Sequence, residues 1–328
     1  MDKHAEIVKS IEPFVEEVLK LLIPVKDSWQ PSDVLPQMGT EDWREEIQQL
    51  RRQALGIPDG VLIVLVGNTV TEEALPSYQT MVNRHPGVTD DTGAADSPWA
   101  QWTRGWTAEE NRHGEILSRY LYLSGRVDMR AFEITTQYLI RNGFDPRTGN
   151  DPYKGLIYTS FQERATKVSH GNTALLANKN GDPTLGKICA LVTGDESRHE
   201  EAYKRLVKRI IEIDPSEAVL AFAQILKNIV TMPARLMADG VAADLFSQFA
   251  AVAQRIGVYT MRDYADIIEH LVLYWEIGGL SGLSGDAAKA QDYLGGLAQR
   301  YRVLADKVEA QPGDPPKLSF SWIFNRSV

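Results

Sequence analysis

From Asp182 to Asp214 the chain reads DPTLGKICALVTGDESRHEEAYKRLVKRIIEID, with an aspartate to cap a helix, proline at the first helical position, and Pro215 directly after the end. The first turn of a helix does not use the N–H that proline lacks, and the fixed φ of proline suits that position. The stretch therefore begins and ends as one long helix would. Before it, PYKGLIYTSFQERATKVSHGNTALLANKNGD starts near Pro152 and ends in the Asn-Gly turn at 180–181. This predicts a second long helix, antiparallel to the first because the connection is short. A third is predicted from Ser97 to Gly125, with Ser97 as cap and Pro98 behind it, and a fourth from near Pro58 to about Arg84. The fourth opens with VLIVLV, whose β-branched residues also suit a strand; its length decides for helix, with Pro76 as an internal kink. Residues 31–45 and 85–98 read as loops, and 1–50 as an irregular to helical N-terminal region. The Pro- and Gly-rich 311–328 reads as an extended tail or small hairpin covering the bundle. The expectation is one all-α domain over 1–328.

Composition removes several function classes. No apolar run approaches the roughly 20 residues that cross a bilayer. The opening MDKHAEIVKSIEPFVEEV lacks the apolar core of a secretory signal and is too acidic for a transit peptide, leaving cytosol and plastid stroma both compatible. The single cysteine, Cys189, rules out an internal disulfide, an iron–sulfur cluster and a thiolate zinc site. A net charge of -9 argues against a general nucleic-acid binder. Lys204 with Lys208, and Arg205 with Arg209, stand at i,i+4 and share one helix side, which on its own reads as a solvated stripe balanced by nearby acids.

The chemistry lies in EENRH, ending at His113, and DESRH, ending at His199. Glu110 and His113, like Glu196 and His199, are three apart on a helix, so both side chains of each pair leave the same face. One such pair alone reads as a solvent-facing contact. Here, however, the other two predicted helices carry Glu72 and Glu163, giving the order Glu, Glu-x-x-His, Glu, Glu-x-x-His that a two-metal bundle requires. Inward carboxylates in such number are costly without a cation. The spacing selects Glu110 over Glu109 but does not choose between Glu72 and Glu73. His4, His85, His170 and His270 lack a Glu three residues earlier. Carboxylate with imidazole and no thiolate suits iron or manganese, and the ligands alone leave dioxygen activation, iron storage and peroxide dismutation open.

The stretches TEEALPSYQT, WTAEENRHG, YLSGRVDMR, YTSFQERAT, SHGNTA, VLAFA and AVAQRIGVYT resemble the soluble plant acyl-acyl-carrier-protein desaturases. The resemblance runs from SWQP at 28–31 to FSWIF at 320–324. It implies a ferritin-like helical bundle with a di-iron centre, extra helices, two Fe2+ per chain, a homodimer and residence in the plastid stroma. It also implies insertion of a cis double bond into an acyl chain on acyl carrier protein (ACP), using dioxygen and two electrons from reduced ferredoxin. Ligand roles fall on Glu72, Glu110, His113, Glu163, Glu196 and His199. Thr166 is implied to handle oxygen and protons, against the plainer reading of a helical threonine bonded to its own backbone. Trp29 and Asp195 are implied to form, with His113, an electron route to the metals; Cys189 reads as core filling. Because the carrier protein is acidic in that family, Arg51, Arg52, Lys204, Arg205, Lys208, Arg209, Lys227 and Arg235 become docking candidates. Arg84 stands where the stearoyl enzymes look to have a smaller neutral residue, and Gly155 and Ser247 match positions that shape the channel. Chain length, 16 or 18 carbons, and double-bond position therefore stay open. An iron store and a metal-free binding protein are the competing classes.

Overall fold

The computed structural model describes residues 2–310 and 317–328. Thirteen α-helices form among them: α1 (Lys3–Ser10), α2 (Glu12–Val18), α3 (Trp43–Leu55), α4 (Asp59–Glu73), α5 (Leu75–Asn83), α6 (Pro98–Ser124), α7 (Met129–Asn142), α8 (Pro152–Lys179), α9 (Pro183–Ile213), α10 (Pro215–Leu226), α11 (Leu245–Ile256), α12 (Met261–Tyr274) and α13 (Gly285–Glu309). The three longest helices begin as their sequences dictate. Proline sits in the first turn of each, and Ser97, Asp151 and Asp182 accept from the backbone N–H of Ala100, Tyr153 and Leu185. α8 and α9 pack along most of their lengths, joined by a turn in which Asp182 also accepts from the Tyr120 hydroxyl at 2.5 Å.

VLIVLV is helical, and every residue from Val61 to Val66 is buried, so an apolar face surrounds α4 on all sides. The fourth predicted helix is two helices. α4 stops at Glu73 and α5 starts at Leu75, because Pro76 cannot donate within a continuous helix but fits the first turn of a new one. Helix α3 begins at Trp43, two residues before the end of the expected 31–45 loop. Of the expected tail, 311–316 lie outside the described residues. Farther on, Ser319–Phe320 pairs antiparallel with Arg326–Ser327, and buried Trp322 donates to the Thr135 hydroxyl at 2.9 Å. Among the described residues no single helix is long and apolar enough to cross a membrane.

Two apolar clusters divide the molecule, and the polar layer of interest lies where they meet. Along α6, one cluster ends at Trp106 and the other begins at Ile116, with Glu109 to His113 between them. Along α9, one ends at Val192 and the other begins at Ala202, with Asp195 to His199 between. The four helices α4, α6, α8 and α9 thus bring their acids and imidazoles to one level.

Candidate metal centre

Glu72 lies on the last turn of α4, Glu110 and His113 on α6, Glu163 on α8, and Glu196 and His199 on α9, all buried. They form two groups, Glu72–Glu110–His113–Glu196 and Glu110–Glu163–Glu196–His199, in each of which one donor atom per residue lies within 4.8 Å of the others. Glu110 and Glu196 belong to both, so they occupy the place of bridging carboxylates. His113 Nδ1 lies 3.1 Å from Glu110, 3.6 Å from Glu196 and 3.8 Å from Glu72. His199 Nδ1 lies 2.8 Å from Glu110, 3.7 Å from Glu163 and 3.8 Å from Glu196. Both Nδ1 atoms and Glu196 Oε2 are buried without a hydrogen bond among the described residues. Buried polar atoms are rarely left so, and three of them aimed at one another fit a pair of cations.

The electrostatics agree. Burial raises the Glu110 carboxyl, but His113 and His199 outweigh it and hold it below the ordinary range. Burial together with the Glu110 charge pushes Glu196 well up, and burial also raises Glu163. Both imidazoles are lowered by burial yet driven well above the ordinary value by the carboxylates around them. Without a cation, protons must neutralise the layer.

Each imidazole has a carboxylate behind it. His113 Nε2 lies 3.2 Å from Asp195, and His199 Nε2 lies 2.8 Å from Glu109. An acid on the far nitrogen makes that nitrogen the donor and leaves Nδ1 free to bind a metal. The pattern crosses between helices: the acid that opens DESRH serves the histidine of EENRH, and the acid that opens EENRH serves that of DESRH. The two arginines follow suit, Arg112 binding Asp195 at 2.9 Å and Arg198 reaching both Glu109 at 2.8 Å and Asp195 at 2.6 Å. Burial pushes Asp195 up, but His113 and Arg198 hold it down at about 2. Glu109 is thus a partner of a candidate ligand, a role that the i,i+3 rule does not find. The repeated acid-Glu-x-Arg-His pattern is the signal that would have found it.

Trp29 donates to Asp195 at 3.1 Å, stacks 6.2 Å from the His113 ring and lies beneath the Arg112 guanidinium at 4.7 Å. Trp29, Asp195 and His113 are therefore in mutual contact. Cys189 is buried in the core, its thiol pushed up to about 12 by burial. The Thr166 hydroxyl donates to the Gln162 and Glu163 carbonyls at 3.1 Å, as a helical threonine does. Its side chain also lines two cavities that share Thr71, Glu72, Gln162 and Pro233. One continues between Met232, Phe246, Phe249 and Tyr259. The other, carrying Glu110, Glu163 and Glu196 in its wall, continues between Tyr78, Met81, Phe144 and Tyr158.

The remaining candidates stand apart from this centre. Arg84 is exposed and donates to the Gly149 carbonyl at 3.1 Å. Gly155 is buried where a Cβ would meet the His85 ring at 2.3 Å, so the closeness of α8 to that ring requires glycine. Ser247 lies in the first turn of α11, where its N–H and hydroxyl donate to the capping Asp244. The basic stripe is paired: Lys204 is buried against Glu200 at 2.9 Å, Arg205 binds Glu201 at 2.6 Å, Arg209 binds Glu212 at 2.7 Å, and Lys208 lies 3.7 Å from Glu276. Arg235 lies 3.4 Å from Asp244, and Arg51 donates to the Leu123 carbonyl at 3.0 Å. Arg52 and Lys227 are exposed.

A four-helix layer of bridging and terminal carboxylates with two backed imidazoles defines the class of carboxylate-bridged two-metal bundles. The chain belongs to the fatty acid desaturase family, whose profile matches residues 3–324. It is 55% identical to the chloroplastic acyl-[acyl-carrier-protein] desaturase of Cucumis sativus, over 98% of this chain and 82% of that one. It is 54% identical to the chloroplastic stearoyl-[acyl-carrier-protein] 9-desaturases of Spinacia oleracea and Arabidopsis thaliana, over 98% of this chain and 81% and 82% of theirs. The fold is similar to that of DesA2 from Mycobacterium tuberculosis H37Rv, with a TM-score of 0.53 at 20% identity, covering 84% of this chain and 97% of that one.

Proposed function

We propose that this chain, acting as a single domain, is an acyl-ACP desaturase that inserts a cis double bond into a saturated acyl chain of 16 or 18 carbons. Two Fe2+ ions would be held by Glu72, Glu110, His113 and Glu196 on one side and by Glu110, Glu163, Glu196 and His199 on the other. Bound iron supplies the coupled reduction –CH2–CH2– + O2 + 2 e⁻ + 2 H⁺ → –CH=CH– + 2 H2O, the two electrons coming from reduced ferredoxin. The observation that carries the reading is the meeting of two cavities at Glu72 and Thr166, beside the shared carboxylates.

The protein's own part is placement. A saturated chain has no polar handle, so its depth is fixed by shape and by the apolar walls it displaces water from, at about 25 cal/mol per Å². The cavity beside Asn68 and Ser169 would take the thioester end. The one lined by Tyr78, Met81, Phe144 and Tyr158 suits the methyl end. Asp195 and Glu109 hold the two imidazoles with Nδ1 inward. Trp29, stacked on His113 and bonded to Asp195, offers a path for electrons arriving at the surface. Plastid residence accords with the chloroplastic names of the relatives, and a homodimer and ACP docking belong to the same proposal.

The test is an assay with ACP-bound acyl chains of several lengths, reduced ferredoxin and dioxygen, the product double bond being located by mass spectrometry. A cis-monounsaturated product is expected. No product at any length, with both irons loaded, overturns the proposal. An iron store would instead take up iron well beyond two ions per chain.

A further inference from the structure

The two terminal carboxylates are backed by different donors. Glu72 and Glu163 each belong to one group only, so each would serve a single metal position. Glu72 Oε1 faces His170 Nε2 at 2.8 Å, and Glu163 Oε1 accepts from the Trp106 indole at 3.0 Å. Nε2 is the ring nitrogen that faces the carboxylate, and Nδ1 lies on the other side of the ring. That Nδ1 is buried and unpartnered among the described residues, and His170 is 1% exposed. A polar ring buried at such cost, with a single hydrogen bond, is placed for that bond and not for packing, which an apolar side chain would serve better.

The carboxylates differ in their own support as well. Glu163 lies in the interior of α8 between buried Phe161 and Ala165, whereas Glu72 is the penultimate residue of α4, just before the break at Ala74. A side chain on a terminal turn is aimed less firmly by its helix, so an external donor matters more to it. His170 also follows Glu163 by seven residues, two turns along α8, so one helix provides the ligand of one metal position and the support of the other.

We infer that His170 is a positioning residue for the metal position containing Glu72, with Trp106 as its weaker counterpart at the position containing Glu163, so that the two positions are unequal by construction. The inference rests on the two-metal reading above. It is tested by anaerobic titration with Fe2+ of the full-length wild type and of His170→Leu, His170→Gln and Trp106→Phe, followed by equilibrium dialysis and Mössbauer spectroscopy of the bound iron. In His170→Leu one of the two ions is expected to bind about 10- to 100-fold more weakly, with one quadrupole doublet depleted. His170→Gln, which keeps a donor, should restore most of that loss. Trp106→Phe should deplete the other doublet, by a smaller factor. Wild-type affinities for both ions in His170→Leu, or equal weakening of both, overturn the inference while leaving the two-metal reading in place. Failure of the wild type to bind two ions overturns both. His170→Gln and circular dichroism of each variant separate a lost hydrogen bond from a lost fold.

Discussion

Neighbouring residues of α9 build two charged layers of opposite kind. At His199 the helix turns toward four carboxylates and a second imidazole, and the inward Nδ1 atoms of both rings have no hydrogen bond among the described residues. One residue later, Glu200 turns toward Arg164 at 2.7 Å, Lys167 at 3.0 Å, Lys204 at 2.9 Å and His270 at 3.2 Å. Both Glu200 oxygens are satisfied there by the protein itself. The layer at His199 is the more deeply buried, yet it is the Glu200 layer, with Arg164, Lys167 and His270 a quarter to a third exposed, in which the acid is matched by cationic side chains of the protein. A buried acid therefore signals a metal when its neighbours are further acids and outward-braced imidazoles, and signals structure when its neighbours are lysine and arginine.

The sharpest way to break this contrast is to remove one member from each layer. Glu196→Ala deletes a bridging carboxylate and should lower iron affinity by more than the roughly 10- to 100-fold typical of outer partners. Iron analysis after dialysis and the desaturation assay would both read close to zero, and full activity would refute the assignment. Glu200→Leu should leave iron binding unchanged but leave buried Lys204 only the more distant Glu201 as an acidic partner, destabilising the fold by about 3 kcal/mol or less in denaturant unfolding. A fall in iron content there would erase the distinction between the layers.

Acid should separate the layers as well. In the metal-free protein the carboxylates around them raise both imidazoles of the site, and burial raises Glu163 and Glu196, so each holds its proton to higher pH than an ordinary group of its kind. Iron must displace those protons, so its affinity should rise with pH across the neutral range, with proton release measurable in weak buffer. Glu200 is opposite in sign. Burial raises it, but His270, Lys204 and Arg164 hold it below the ordinary value. The stability it contributes is present above the unfolded glutamate pKa of about 4.3 and is lost as pH falls through the lower folded value. Lowering the pH from neutral should thus release iron well before it loosens the Glu200 cluster; simultaneous loss by dialysis and circular dichroism would contradict this. The smallest effect belongs to the exposed end of α9, where Arg205→Ala and Arg209→Ala each remove a solvent-exposed pair. They should cost less than about 1 kcal/mol in unfolding experiments. A clear drop in affinity for acyl-ACP in either variant would keep the stripe as a docking site despite its pairing.

Helices α6, α8 and α9 were legible almost to the residue because Ser or Asp followed by Pro marks their starts. The break at Ala74 was not, since Pro76 is compatible both with a kink and with a fresh first turn, and only packing chooses between them. Helices α10 to α13 were expected only as extra helices: α10 to α12 are shorter, left-handed Gly257 and Gly282 lie in the connections before α12 and α13, and none of the four carries a Glu-x-x-His pair. Glu110, His113, Glu196 and His199 were legible from i,i+3 spacing, whereas Glu163 followed from the order of the helices and Glu72, rather than Glu73, from the family resemblance alone. Glu109 was missed because the i,i+3 rule sets it aside, although its match to Asp195 in the repeated motif marks it, and His170 was missed because it acts across helices, where one sequence gives no spacing rule to follow. For the basic stripe, i,i+4 spacing read the shared face correctly but could not reveal that Lys204 turns inward to Glu200.

On the proposed function, the four-helix layer holds two ions through shared Glu110 and Glu196. Anomalous diffraction at the iron edge from crystals grown with Fe2+ tests it most directly. Two peaks are predicted, one within reach of Glu72 and His113, the other of Glu163 and His199, both bounded by Glu110 and Glu196. A single peak, or peaks at the Glu200 layer with none here, would contradict it.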